Sequence, residues 1–300
     1  MTAETGRNGI DMHKNQTNKP YAGLALLTDL DGTLLTPEKT VSVADAEAIR
    51  DFREKGGTFG IATGRGLQAS QEFLTLLDPD FPAVLYNGAL LYDHKKGASA
   101  YAARLPRGIG ALLTELMQAF PTVGAEVLDE LGVWVIQDGE YERRHLEITH
   151  IPVVMRQLGT EIDPETCLKA LFAGAPEQIS EMLAYVQAER FACVTFTRSH
   201  KWFLEILPKN TNKGTAMQRL REMLPAGTVI GATGDFDNDA AMLRAADFCG
   251  CPADSQPSVL QAVRESGGFL SKKTCSDGFF ADWIAAFTDY FSNQRGVFPQ

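Results

Sequence analysis

Apolar and polar positions along the chain fall into two alternating rhythms. The apolar run Leu24 to Asp29 reads as a buried strand, and Ser42-Val43-Ala44-Asp45 has the form of a capping-box helix start. Ala46, Ile49 and Phe52 follow at helical spacing, and Gly56-Gly57 ends that helix. Thr58 to Thr63 reads as a second strand, and Leu67, Phe73, Leu74 and Leu77 mark a second helix. Ala83 to Tyr86 reads as a third strand, closed by Asn87-Gly88. Strands alternating with single helices at this spacing predict an α/β fold with a doubly wound parallel sheet.

From about residue 90 to 200 the pattern changes to hairpins separated by single helices. Leu90–Tyr92 pairs with Ala100–Leu105 across His94-Lys95-Lys96-Gly97; Glu126–Leu128 pairs with Val133–Ile136; Ala192–Thr197 pairs with Trp202–Leu207. Helices are expected around Leu112–Phe120 and Ile179–Val186, with a strand over Cys167–Phe172. This predicts an inserted antiparallel α+β unit over 89–200, between core segments 21–88 and 201–300. The α/β rhythm then returns, with strands at Thr228–Ala232 and Asp247–Cys251, helices at Asn238–Ala246 and Val259–Glu265, and a last amphipathic helix over 279–291.

The 300 residues suffice for such a two-part chain. A formal net charge of -10 argues against a nucleic-acid partner, which demands clustered Lys and Arg. Any phosphate must therefore be bound locally, through a cation, backbone N–H groups and a few basic side chains. The 5 cysteines form no Cys-x-x-Cys pair, so neither a disulfide framework nor a zinc site is expected, and Cys249 and Cys251 read as core residues. No apolar run approaches a membrane span, and the polar stretch 1–20 reads as a disordered lead-in rather than a signal peptide. A cytoplasmic setting is expected; monomer and homodimer stay open.

Four short motifs punctuate the α/β part where strands should give way to loops, the edge at which such sheets bind ligands. In Asp29-Leu30-Asp31-Gly32-Thr33, alternation starts both carboxylates on one side of the strand. Two close anions repel unless a cation or a proton intervenes, so the pair reads as a metal site, a nucleophile with its acid/base partner, or both. Thr63-Gly64-Arg65-Gly66 opens a helix with a hydroxyl and free N–H groups, a phosphate cradle; alone, Thr before Gly is more often a turn. Lys213 precedes a helix in a polar loop, where a lone Lys is usually a solvated charge. Gly234-Asp235-Phe236-Asp237-Asn238-Asp239 carries a hard-cation signature, against the bland reading of an acidic helix start.

Together these motifs resemble the haloacid dehalogenase superfamily, and within it the Cof-like hydrolases with a class II, subclass B cap; Asn87-Gly88-Ala89 and Asp277-Gly278 fit the same pattern. The resemblance implies a Rossmann-like core with an inserted cap and an Mg2+-dependent phosphatase acting on a small phosphorylated metabolite, a sugar phosphate being favoured. In that reading Asp29 is the nucleophile that forms an aspartyl-phosphate, and Asp31 protonates the leaving oxygen and then activates water. Thr63 and Gly64 hold the phosphate, Asn238 touches the phosphate or orients a metal water, and Lys213 neutralises nucleophile and transferring group. Asp235 binds Mg2+ with Asp29 and the main-chain carbonyl of Asp31, while Asp239 stands behind them. Asp31 is expected to have a raised pKa in the complex. A phosphomannomutase-like phosphotransferase and a catalytically silent metabolite-binding module are the competing readings.

The chain departs from the common Cof-like pattern at Tyr86, where many relatives have Glu, at Asn210, where many have Gly, and at Gly250-Cys251-Pro252-Ala253-Asp254. Asn210 can take the left-handed backbone that Gly would supply. In the cap, Arg143, Arg144 and His145 are expected on a solvated helix face, and Trp134 and Trp202 in the cap core.

Overall fold

The structure is a computed structural model that describes residues 19–187 and 191–295. Except for Lys19 and Pro20, the expected lead-in lies outside the described residues. In chain order, the first half carries β1 (Leu24–Thr28), α1 (Val43–Glu54), β2 (Thr58–Ile61), α2 (Leu67–Leu77), β3 (Ala83–Leu85), β4 (Leu90–Asp93) and β5 (Ala98–Ala102). Next come α3 (Ile109–Ala119), β6 (Gly124–Leu128), β7 (Val133–Gln137), α4 (Glu140–Thr149), β8 (Lys169–Ala173), α5 (Pro176–Tyr185), β9 (Val194–Thr197) and β10 (Phe203–Pro208). The chain closes with α6 (Lys213–Met223), β11 (Val229–Thr233), α7 (Ala240–Ala245), β12 (Phe248–Cys251), α8 (Pro257–Glu265), β13 (Phe269–Leu270) and α9 (Phe279–Arg295).

The core sheet is parallel throughout, in the order β13-β12-β11-β1-β2. All five residues of β1 are buried, as a central strand with both faces covered requires. Leu24 and Leu26 pack under α1, α2 and α9 with Phe52, Leu74 and Trp283. Ala25 and Leu27 pack on the opposite face against Met217, Leu220, Met242 and Val259 of α6, α7 and α8. The chain leaves β1 for β2 on one side and returns to β11 on the other, so the switch point of the winding lies between β1 and β11.

The second sheet is antiparallel, in the order β7-β6-β8-β10-β9. Its alternation separates two faces: Ala125, Val127, Ala170, Phe172, Leu204 and Ile206 form one core with Leu113, Leu116, Ile179 and Met182 of α3 and α5. The other face carries Glu126, Leu128, Lys169, Leu171, Phe203 and Glu205 and lines a cavity toward the core sheet.

The structure moves two boundaries. The hairpin β4–β5, expected to open the insertion, pairs with β3, which itself bridges to β2's extension at Ala62 and so continues the core edge. β10, expected in the returning core, pairs with β8 and β9 in the inserted sheet. A helix is expected at Arg143–His145 but without bounds, and β13 is not expected at all. α4 is strongly charged, and β13 has only two residues, too few for a periodic signal.

Candidate active site

The motifs converge at the carboxyl ends of β1, β2 and β11. Asp29 follows β1 directly, and its N–H donates to the Thr233 carbonyl at 3.0 Å, extending the β1–β11 seam. Leu30 turns into the core. Gly32 adopts φ +79°, and a Cβ there would lie 2.5 Å from Asp235 Oδ2. Glycine is therefore required twice over, for the left-handed turn and for the approach of the second acidic loop. Thr33 Oγ1 donates to Asp235 Oδ1 at 2.7 Å and fixes that approach.

Carboxylate oxygens of Asp29, Asp235 and Asp239 lie within 4.8 Å of one another. Lys213, fully buried at the first turn of α6, donates to Asp29 Oδ1 and Asp239 Oδ1, each at 2.6 Å. Its placement follows from the Asn212 N-cap, which accepts the Thr215 N–H at 2.9 Å, and from Asn210, which takes the expected left-handed φ of 60°. The other Asp239 oxygen accepts the N–H groups of Asp235 (3.0 Å) and Phe236 (3.1 Å), so this carboxylate is fully engaged in holding its neighbours.

Burial pushes the Asp29 carboxyl up to about 7; Lys213 opposes the shift, while Asp239 and Asp31 add to it. Burial, then Asp29 and Asp239, push Asp235 well above the carboxylate range. Three carboxylates against one ammonium leave negative charge in excess. The donor set is oxygen only, and of the three acids Asp29 and Asp235 keep oxygens that are not committed to hydrogen bonds. A hard divalent cation such as Mg2+ fits both the charge and the donors.

Asp31 faces elsewhere. Burial would raise its pKa, but a two-toothed hydrogen bond from Arg65 (Nε 2.6 Å, Nη2 2.7 Å) and the Lys39 ammonium at 2.6 Å hold it well below the carboxylate range. The raised pKa expected for Asp31 concerns the substrate complex; in the free protein guanidinium and ammonium partners stabilise the anion. Arg65 lies inside the second motif yet sequence reading gave it no role, because an Arg after Gly carries no pairing signal by itself.

Thr63, Gly64 and Asn238 line the same cavity as Asp29 and Asp31, a space of about 400 Å³ under the inserted sheet. Asn87, left-handed at φ 52°, ties this floor together: its N–H donates to the Thr63 carbonyl (3.0 Å) and its Oδ1 accepts from Asn238 Nδ2 (2.9 Å). The Oδ1 of Asn238 is buried and finds no partner among the described residues. Asn87 Nδ2 also donates to Glu205 of β10. Lys169 pairs with Glu205 at 3.2 Å and donates to the Gly64 carbonyl at 2.8 Å, so the cap is stitched onto the loop that follows β2. Tyr86, the departure from the common Glu, accepts the Leu67 N–H (2.9 Å) and donates to the Asp129 carbonyl (2.7 Å), a second stitch.

Glu126, Lys169 and Glu205 escaped the sequence reading. Their signal was there: each interrupts an otherwise apolar strand at a position whose alternation partners face the core sheet. In α4, Arg143 is exposed as expected, and Arg144 lies over the Trp202 ring at 4.7 Å. His145 instead turns inward to the cavity. Trp134 packs in the cap core as expected, whereas Trp202 lines the cavity.

A parallel doubly wound sheet, a switch-point acidic cluster with a buried ammonium, and an inserted roof define a phosphoryl-transfer hydrolase fold. The family model described as haloacid dehalogenase-like hydrolase matches residues 26–279, and the chain belongs to that family, as a Cof-like phosphoric monoester hydrolase. One relative is the 5-amino-6-(5-phospho-D-ribitylamino)uracil phosphatase YitU of Bacillus subtilis, 25% identical over 284 residues, covering 91% of this chain and 98% of the relative. Among solved structures, a putative HAD/COF-like hydrolase from Plasmodium vivax aligns with TM-score 0.76 at 20% identity, over 90% of this chain and 96% of that one. The HAD subclass IIB sugar phosphatase BT4131 aligns with TM-score 0.73 at 18% identity, over 88% and 98%. At these identities the two structures speak for the fold. Among the described residues no helix is long and apolar enough to cross a membrane.

Proposed function

We propose that the protein is an Mg2+-dependent phosphatase of the cytoplasm that hydrolyses a small phosphorylated metabolite through an aspartyl-phosphate on Asp29. The observation that carries this reading is the meeting of Asp29, Asp235 and Asp239 around the buried Lys213. Asp29 and Asp235, with the main-chain carbonyl of Asp31, would hold Mg2+, which when bound supplies positive charge against the phosphate dianion. Lys213 holds the nucleophilic carboxylate in place and offsets charge developing on the transferring group. Thr63 Oγ1, the Gly64 N–H and the Asn238 amide receive the equatorial phosphate oxygens. Asp239 acts through Lys213 and the acidic loop, which it fixes.

Asp31 is the acid that protonates the leaving oxygen and the base that then takes a proton from water. Its grip on Arg65 and Lys39 must loosen for the first task, and a phosphate offers those cations a competing partner. The roof over the cavity keeps bulk water from the acyl phosphate.

The test is phosphate release from a panel of sugar phosphates, nucleotides, pyridoxal phosphate and 5-amino-6-(5-phospho-D-ribitylamino)uracil. Turnover should vanish in excess chelator and return with Mg2+; full activity in chelator would remove the metal from the scheme. Release of inorganic phosphate to water, rather than its return to a second hydroxyl, separates a phosphatase from a mutase.

A further inference from the structure

On its cap-sheet side, the cavity is lined by a polar group that the hydrolysis scheme leaves unused. Glu126 projects from the cavity-lining face of β6, among Leu128, Val133, Leu171 and Phe203. It is fully buried, and among the described residues neither carboxylate oxygen meets a basic, amide or hydroxyl donor. Glu142 of α4, also buried, packs beside Glu126, meets no basic or amide donor among the described residues and does not line the cavity. A buried carboxylate without donors is strongly disfavoured, so the arrangement asks for a partner that comes and goes.

The neighbouring charges narrow what that partner is. Lys169 and Glu205 neutralise each other and are further occupied by the Gly64 carbonyl, Asn87 and Ser199. His145 Nε2 stands 3.8 Å from Glu126 Oε1, beyond hydrogen-bond reach, and burial pushes its pKa down, favouring the neutral ring. Burial, then the charge of Glu126, push Glu142 up to about 11, so the two adjoining carboxyls hold one proton between them, and that proton satisfies one oxygen of the pair. One carboxylate charge and one open acceptor oxygen remain in the roof. A hydroxyl would supply the hydrogen bond but leave the charge uncompensated; a cationic N–H donor supplies both. The flanking walls carry Ile148, Ile151 and Trp202, with Gln68, Thr149 and His200 as the polar side chains between them, so the body of the substrate meets extensive apolar surface.

We propose that Glu126 receives an amino or protonated ring-nitrogen donor at the end of the substrate remote from the phosphate, so that the leaving alcohol has a largely apolar body with a nitrogen cation at its tip. This deepens, and rests on, the phosphatase reading. It makes Glu126 a specificity-determining residue on the cap, with Glu142 as the carboxyl packed beside it.

The test uses the full chain with Mg2+ and three matched esters: para-methylbenzyl, para-(hydroxymethyl)benzyl and para-(aminomethyl)benzyl phosphate. In the unaltered protein, kcat/KM for the amino ester should exceed that for the methyl ester by about tenfold or more, with the hydroxymethyl ester between them. In Glu126→Gln the amino-to-methyl ratio should fall below about threefold, whereas Glu142→Gln, which keeps a donor beside Glu126, retains the preference. Equal kcat/KM for all three esters in the unaltered protein would overturn the proposal and leave an ordered water as the partner of Glu126, with the phosphatase intact. Survival of the preference in a folded Glu126→Gln would move the recognition to another residue. The ratio in the unaltered protein decides by itself should that variant not fold. Failure of every ester, and of para-nitrophenyl phosphate, to release phosphate would instead remove the hydrolytic reading on which the proposal rests.

Discussion

At the scale of the residue, the two partners across the central ion pair should respond differently to substitution. Asp29→Asn removes the proposed nucleophile but also a carboxylate that burial already disfavours, and Lys213 keeps Asp239. Turnover should fall at least about a thousandfold, with a thermal midpoint close to that of the unaltered protein. Comparable turnover in that variant, measured by phosphate release, would refute the nucleophile assignment. Lys213→Met is the harsher change. It leaves Asp29 and Asp239 buried without their cation, and an unfolding titration should show a loss of about 3–5 kcal/mol along with the activity. The acidic motifs announced themselves in sequence because clustered carboxylates beside a Gly turn have few structural reasons to exist. Arg65 did not, since its meaning depends on reaching Asp31 across 34 positions of chain.

At the scale of the element, Asp45 joins two helices. It closes the box with Ser42 at the start of α1, accepting from Ser42 Oγ at 2.8 Å while its own N–H donates back at 3.1 Å. It also accepts the Ala281 N–H at 2.7 Å, one of the free donors in the first turn of α9. Asp45→Ala should lower the urea midpoint by an amount equivalent to about 1–3 kcal/mol while leaving kcat/KM unchanged, because the residue lies away from the cavity. A midpoint unmoved within error would show that water replaces this cap. The cap at Ser42 was legible from sequence because its partner sits three residues away; the link to Ala281 was not, because nothing local marks it. The same limit explains the shifted boundaries. Hairpins β4–β5 and β9–β10 were readable as pairs, but which sheet each joins is decided by long-range neighbours such as Val84 and Phe172.

At the scale of the whole molecule, the acid pair in the roof should make stability depend on pH. The Glu142 carboxyl moves from the usual 4.5 to about 11 on folding, through burial and then the Glu126 charge. The folded state therefore holds a proton that the unfolded state has released across that window, so this group's contribution to stability declines as pH rises. Glu142→Gln removes the dependence. Its urea midpoint should gain on that of the unaltered protein between pH 5 and pH 9. Parallel curves would show that Glu142 ionises freely in the fold. The overall plan, a wound core with an insertion between its second and third motifs, was visible in the order of motifs and the change of rhythm. The cavity was not, since it exists only where two sheets distant in sequence face one another.

That facing arrangement separates two tasks that could otherwise obstruct each other. The acidic groups and Thr63 proposed to break the phosphate ester hang from the parallel sheet, with Lys213 reaching them from α6, while the surface that meets the rest of the molecule comes from alternate positions of three antiparallel strands. Residues 126, 128, 169, 171, 203 and 205 thus form a compact palette for retargeting. Of these, 169 and 205 also fasten the lid to its base, which leaves 126, 128, 171 and 203 as the positions where a combinatorial library would alter preference with least risk to the chemistry below.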